Sequence, residues 1–334
     1  MSQSHDFQLS NREIIALRPD AQRPTPGVEP LQIMAEEEAF NKSGEGKRCL
    51  TVFLRGSECQ FKCLMCDLWK HTHQEPTPPG AIPAQIRAAL ETPRSQTGRG
   101  GEKTRWIKLY NASNFFSAVN VPPEDDPQIA SLLVDFERVI VENHPKVLSK
   151  RVETFASLIN GQLEVAMGLE TVHEPTLRLL NKKMTTVDFR EACRYLRERS
   201  IDARTFVLLR PPGMSEADGV EWCRRSVEFA LENGVRHITI IPVRAGNGSL
   251  EHLAKSGHFT PPSANALEAV LEALLESVID DPRAIITADT WDWNLLRGKC
   301  AKCSELRRAR VESMNLKQSK LPSLSLPCRC RIGS

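Results

Sequence analysis

Three cysteines, Cys59, Cys63 and Cys66, stand at C-x3-C-x2-C spacing in the run Arg55-Gly56-Ser57-Glu58-Cys59-Gln60-Phe61-Lys62-Cys63-Leu64-Met65-Cys66. They follow a short apolar stretch, Leu50-Thr51-Val52-Phe53-Leu54. Such a stretch, bounded by Arg-Gly-Ser, reads as a buried strand feeding a loop. Three thiolates this close in sequence can converge on one metal centre, and as soft ligands they favour iron–sulfur clusters and zinc. A four-iron cluster needs four ligands, and the loop gives three. Either a fourth comes from elsewhere, or one iron is left open for a small molecule. Structural zinc is the competing use. It usually needs two paired knuckles and four closed ligands, and no partner pair lies nearby in sequence.

The rest of the composition narrows the setting. The chain has 334 residues, 40% of them apolar, enough for one large domain or two ordinary ones. Ten cysteines could serve a secreted disulfide framework. The polar start, Met1 to Asp6, and the lack of a signal peptide or an 18-residue apolar span speak against that. Clustered cysteines in such a chain point to metal. The expectation is a soluble cytoplasmic protein with no membrane partner.

Residues 1–45 read as an arm, with a short helix from Glu36 to Asn41. Residues 46–290 read as the core. Strands are expected at 50–54, 105–110, 138–142, 163–168, 203–209 and 236–242, with helices at 82–90, 129–134, 185–199 and 222–232. Residues 97–102 read as a surface loop. Strands alternating with helices at this spacing predict a parallel sheet. Right-handed crossovers close it towards a barrel, and chemistry belongs at the C-terminal strand ends. The cysteine loop, Asn111, Glu142, Glu170 and Arg210 all lie at such ends. Cys193 and Cys223 fall on apolar helix faces and read as packing thiols. His144 and His173 are lone loop histidines with no role assigned.

Residues 291–334 form a third segment. Cys300, Cys303, Cys328 and Cys330 make a C-x2-C…C-x-C group with a 24-residue gap. Four thiolates suit a structural zinc or an auxiliary iron–sulfur cluster, and softness does not separate the two. Residues 297–331 hold ten Lys/Arg against Glu305 and Glu312, although the whole chain carries only +2. A basic module on a mildly acidic body is the footprint of a polyanion binder. Trp291 and Trp293 lie just upstream.

The cysteine motif at a strand end resembles that of the radical SAM superfamily. The resemblance implies a partial (β/α)6 barrel of the radical SAM type, here with a small C-terminal metal-bound extension. It also implies a 4Fe-4S cluster on Cys59, Cys63 and Cys66, whose open iron chelates S-adenosylmethionine. Reduction by an electron donor would release a 5′-deoxyadenosyl radical. Asn111 and Ser113 stand where the superfamily holds the methionine amino group, without the usual Gly-Gly-Glu. Met65 replaces the usual aromatic residue before the last cysteine. Glu170 is placed to accept from the ribose hydroxyls, and Arg210 completes the implied cofactor contacts.

Longer stretches are similar to one branch, the radical SAM subunit of archaeosine synthase and its relatives. They include Ile107 to Phe116, Glu142-Asn143-His144-Pro145, Val165 to Thr171, Leu208 to Pro212, Ile241-Pro242-Val243 and Phe259-Thr260-Pro261-Pro262. That family acts on a 7-deazaguanine in the D-loop of tRNA. A partner transferase attaches lysine to the base's nitrile, and the radical subunit cleaves the lysine carbon–nitrogen bond, leaving the amidine. Asn111-Ala112-Ser113-Asn114 departs from the family's Thr-Ser-Gly-Ser, and Ser304 from its Asp, which leaves room for a changed substrate. The resemblance thus implies a radical SAM enzyme of tRNA modification, with carbon–nitrogen lyase chemistry. The alternatives are a radical SAM enzyme on a small molecule or peptide, and a non-catalytic iron–sulfur RNA-binding protein.

Overall fold

The acidic run that reads as a helix is a strand. A computed structural model describes residues 7–42, 44, 46–92, 104–111, 113–298, 300 and 302–324. In it Gln32–Ala39 (β1) pairs antiparallel with Gly46–Leu54 (β2), from Gln32 opposite Phe53 to Ala39 opposite Gly46. Glutamate favours helices by propensity, but here alternate glutamates find cations on neighbouring strands. Glu36 lies 2.7 Å from Lys108, and Glu38 lies 2.7 Å from Lys108 and 2.5 Å from Arg204. Period-two pairing of charges overrides the local preference. The segment expected to be an arm therefore supplies an edge strand of the sheet. It also carries a short helix, Asn11–Ala16 (α1), started by a Ser10–Glu13 capping box.

The six expected strands form in parallel order: β2, then Trp106–Asn111 (β3), Arg138–Glu142 (β4), Gln162–Glu170 (β5), Asp202–Leu209 (β6) and His237–Pro242 (β7). A further strand, Ile285–Ala288 (β8), pairs parallel with β7. At four residues it is too short to announce itself. The described sheet thus runs β1 to β8 in chain order. Its outward residues, such as Leu50, Val52, Ile107, Val139 and Val165, form the main core with the flanking helices. The helix expected from Trp222 begins six residues earlier, at Glu216, and Ser215 caps it. Cys193 and Cys223 are buried in this core, as expected.

The last described helix, Ser304–Lys317, packs on both β1 and β8, the two edges of the sheet. Just before it, the Trp293 indole is buried and Trp291 is half-exposed. Asn315 Nδ2 donates to Ala288 O and Asn315 Oδ1 accepts from Ala288 N, each at 2.8 Å. Gln318 does the same for Ile286, at 2.9 and 2.8 Å. Two side-chain amides thus take the hydrogen bonds that a ninth strand would otherwise make, which blunts the open edge. Residues 291–324 are therefore built into the barrel seam.

The lower barrel interior is ionic. Arg204 contacts Glu38 at 2.5 Å and Glu164 at 3.0 Å, and Arg138 contacts Glu164 at 2.8 Å. Burial opposes ionisation of Glu38, but Arg204, Lys108 and His237 outweigh it and hold the carboxyl well below its usual range. Burial likewise opposes ionisation of Glu164, yet Arg204, Arg236 and Arg138 hold it at about 2. Buried pairs of this kind stabilise little net, but losing one partner is costly.

Candidate cluster site at the barrel mouth

The cysteine loop leaves the C-terminal end of β2 without regular structure, so its shape must come from outside. Three asparagines from other loops supply it. Asn120 Nδ2 donates to Ser57 O at 2.9 Å, Asn181 Nδ2 to Lys62 O at 2.7 Å and Asn247 Nδ2 to Leu64 O at 2.5 Å. Asn181 holds a φ of 53°, a left-handed conformation that asparagine tolerates. Gly56 passes so close to Asn120 O that a Cβ would sit 3.0 Å from it. Leu64 is buried in a small second core with Ile14, Leu180, Val243, Leu250 and Phe259, and Met65 packs at its edge. The N-terminal segment thus covers the loop. Ile14 packs into this core, and Arg18 and Arg23 reach Glu58 at 3.0 and 2.9 Å.

Cys59, Cys63 and Cys66 are half-buried and free of disulfides. Burial pushes the Cys63 thiol up to about 11, partly offset by Lys182, and pushes Cys66 up to about 12. Such thiols ionise when a metal replaces the proton. Asn114 Nδ2 donates to Cys59 Sγ at 3.2 Å, the support expected around a thiolate ligand. Among the described residues, the triad with donors all within 4.8 Å is Glu36, Glu38 and Cys49, not these cysteines. One zinc, at about 2.3 Å from each sulfur, would draw three thiolates to about 4 Å from one another. A cluster does not need its thiolates that close, because its irons each take one terminal thiolate. The tight triad already has its cation, since Lys108 Nζ sits 2.7 Å from both carboxylates.

Around the loop stand the residues that the sequence pointed to. Asn111 Nδ2 donates to Ser113 Oγ at 2.9 Å, so the two are brought together. Asn111 Oδ1 is buried with no donor among the described residues. Glu170 ends β5 at a bulge, with a φ of 66°, the kind of irregularity that re-aims a side chain. Its Oε1 meets Lys182 Nζ at 2.5 Å. A Cβ on Gly168 would lie 2.1 Å from that same oxygen, so only glycine leaves room for the pair. Arg210 is turned aside. Its guanidinium donates to Pro261 O at 3.1 Å and contacts Glu216 at 3.3 Å, which ties the loop after β6 to a neighbouring loop.

Sequence reasoning gave His144 no role, and the structure places it under the loop. Its ring stacks on Phe61 with centroids 3.8 Å apart, and Nε2 lies 2.9 Å from Lys182 O. Burial and nearby Lys182 push it down to about 3, so it is neutral. Its backbone N–H donates to Asn114 Oδ1 at 2.7 Å. Lys182 and Asn181 had no signal beyond a polar break between helices. Asn114 and His144 lay inside the stretches that carried the resemblance.

Below the loop, the barrel encloses a cavity of about 470 Å³ walled by Phe53, Tyr110, Phe206, Ile241 and Trp291, with Glu36, Lys108 and Asp289. Glu142, at the end of β4, is raised to about 8 by burial, against the Asn111 N–H and Lys182. Burial also raises Asp289.

Part of the basic module pairs with the body, and Arg307 and Arg310 are buried. Arg307 pairs with Glu268 at 2.8 Å, Arg310 with Glu272 at 2.5 Å, Lys320 with Glu276 at 2.9 Å and Arg297 with Glu216 at 2.8 Å. The charge excess in the sequence counted only carboxylates inside the module, whereas their partners come from the body. Cys300 and Cys303 share a tight turn, with Cys303 N donating to Cys300 O at 3.1 Å. Cys328 and Cys330, like Lys299, Arg329, Arg331 and the expected loop at 97–102, lie outside the described residues. No described helix is long and apolar enough to cross a membrane.

No family model matches the chain. Among curated proteins it is 24% identical to archaeosine synthase subunit beta of Methanosarcina acetivorans, over 96% of this chain and 93% of that one. It is 23% identical to an uncharacterized protein of Methanocaldococcus jannaschii, over 90% and 85%. A second archaeosine synthase subunit beta, from Thermococcus kodakarensis, is 25% identical over 49% of this chain and 51% of that one. Among solved structures, methylornithine synthase, a radical SAM barrel, superposes with a TM-score of 0.53 at 12% identity, covering 84% of this chain and 75% of that one. By sequence the chain resembles archaeosine synthase subunit beta and its relatives, and its fold is that of the radical SAM barrels.

Proposed function

We propose that the protein is a radical SAM enzyme that modifies a base in tRNA, most closely a 7-deazaguanine carrying a carbon–nitrogen bond to be cleaved. The observation that carries the enzyme reading is Asn111 Oδ1, a buried acceptor without a donor among the described residues, at the mouth where three half-buried thiols stand. An unpaired buried acceptor is costly, and an ammonium group satisfies it. The substrate class rests on the likeness to archaeosine synthase subunit beta over nearly the whole chain.

Cys59, Cys63 and Cys66 hold a four-iron cluster, and Asn111, Ser113 and Glu170 receive S-adenosylmethionine. When bound, these groups supply the radical chemistry. The chain's own residues do the rest. Lys182 compensates Glu170, whose second oxygen can accept a ribose hydroxyl. Glu142, raised to about 8, keeps its proton near pH 7 and so offers an O–H donor on the inner wall. Phe53, Tyr110, Phe206 and Trp291 give the cavity an aromatic wall. Cys300 and Cys303, joined by Cys328 and Cys330, hold a second metal, zinc or iron–sulfur. A partner transferase prepares the substrate, and an external donor supplies the electron.

The test is 5′-deoxyadenosine formation by reduced, cluster-loaded protein given S-adenosylmethionine, with and without bulk tRNA. Formation that rises with tRNA and disappears in Cys63→Ala is the expected result. No formation despite a loaded cluster would sink the enzyme reading. Formation indifferent to tRNA, including tRNA carrying the unmodified precursor, would sink the RNA substrate.

A further inference from the structure

A second hollow, of about 420 Å³, opens beside the first residue of the cysteine loop. Four basic side chains wall it, Arg23, Arg55, Lys70 and His71, and no carboxylate lines it. The four differ in how their charge is met. Arg23 is neutralised, with Nη1 2.9 Å from Glu58 Oε2 and Nε donating to Thr72 O. Lys70 donates to the Gly246 carbonyl, which carries no full charge. His71 is exposed. Arg55 has no carboxylate partner among the described residues, and its Nε is buried without an acceptor.

The backbone of Arg55 is also pinned. Its backbone N–H donates to Gln85 Oε1 at 2.7 Å, and its carbonyl accepts from Gln85 Nε2 at 2.9 Å. Gln85 is itself fully buried and ties the same point to Gly27 O. A guanidinium with no carboxylate partner among the described residues, beside an amine and an imidazole, suits an anion with several oxygens. Arginine's fork matches phosphate in two-point geometry, and lysine adds a point charge.

We propose that this hollow binds a backbone phosphate of a polynucleotide substrate and so positions the base for the barrel. The proposal rests on the reading of the protein as an RNA-modifying enzyme. Its placement is the argument for a polynucleotide over a free anion. Phe53, two residues before Arg55, walls the barrel cavity, so the hollow and the cavity are about 7 Å apart along the strand. Of the C-terminal cations that sequence offered for the task, Arg297, Arg307, Arg310 and Lys320 pair with carboxylates of the body. A phosphate contact here would set register and orientation and carry no sequence information.

The experiment measures binding of bulk tRNA to the cluster-loaded protein across a range of salt. Arg55→Gln with Lys70→Gln should weaken binding several-fold at low salt. It should also lower the slope of log affinity against log salt by about one per cation removed. Arg55→Lys should keep most of the slope. Arg283→Gln, on the exposed loop before β8 at the opposite end of the barrel, should change neither quantity. Iron content and melting temperature report whether each variant is folded. If the double variant is not, His71→Glu replaces it and should weaken tRNA binding by placing a negative charge on an exposed side chain.

Salt-dependent binding with the same slope in wild type and variants would overturn the pocket and leave the RNA reading intact. Absence of tRNA binding by wild type at every salt would end both. A third arm adds inorganic phosphate. A melting temperature raised by phosphate in wild type but not in Arg55→Gln with Lys70→Gln, at unchanged tRNA slope, would make this a free-anion site and overturn the polynucleotide assignment.

Discussion

Lys182 Nζ stands 2.5 Å from Glu170 Oε1, in the space that Gly168 leaves by having no side chain. The pair is buried and faces the cysteine loop, so it joins the floor of the cluster site to the end of β5. Lys182→Met would leave the Glu170 carboxylate without its partner and should cost about 3–5 kcal/mol of stability. Lys182→Met with Glu170→Gln should recover part of that. Gly168→Ala should resemble the single Lys182 variant, since its Cβ displaces the carboxylate. Urea denaturation of the four proteins decides it, and an unchanged Lys182→Met would refute the coupling.

The ionic floor of the barrel predicts an acid limb. His237 is pushed down to about 4 by burial and by Arg204, whereas an unfolded histidine titrates near 6.5. Between those values the unfolded chain binds the extra proton, so stability rises with pH there and is lost as pH falls from about 6.5 to 4. The loss from this residue is on the order of 3 kcal/mol. Glu164, held at about 2, adds a second loss from about 4.3 down to 2. Unfolding midpoints at pH 7, 5.5 and 4.5 should fall in that order, and His237→Gln should flatten the upper step.

Arg204 sits between Glu38 and Glu164 at 2.5 and 3.0 Å. Arg204→Met takes one cation from each of two buried carboxylates and should cost about 3–5 kcal/mol at pH 7, with the variant regaining relative stability as the carboxyls protonate in acid. A melting-temperature loss that is the same at pH 7 and pH 4 would contradict this account.

The edge of β8 is satisfied by side chains rather than by another strand. Gln318→Ala frees the N–H and C=O of Ile286 and should cost about 1–3 kcal/mol. Hydrogen exchange at the Ile286 amide should quicken while β4 and β5 amides hold. Equal exchange in variant and wild type would show that the helix end does not protect the edge.

Asn114 donates to Cys59 Sγ while accepting from the His144 N–H. Asn114→Asp keeps the acceptor and loses the donor. Hydrogen bonds to cluster sulfurs tune reduction potential, so the variant should bind iron as wild type does and shift the cluster potential to more negative values. Spectroelectrochemical titration reads this directly, and an unmoved potential would separate Asn114 from the cluster.

Much of the architecture is local and therefore legible. Apolar runs of strand length, amphipathic helices between them and three closely spaced cysteines each report on their own neighbourhood. From these follow the order of β2 to β7, the cysteine loop at a strand end, and the placement of Asn111 and Glu170 at the mouth. The remainder depends on partners far away in sequence. Glu36 and Glu38 form a strand because Lys108 and Arg204 come to meet them. Arg307, Arg310 and Lys320 read as free cations until Glu268, Glu272 and Glu276 face them. His144, Lys182, Asn120 and Asn247 are ordinary polar residues in the chain, and they hold the cysteine loop only because four loops converge on it. Sequence fixes what each side chain can do, and long-range packing decides which of those capacities are used, because charges and amides act on whatever the fold brings within about 3 Å.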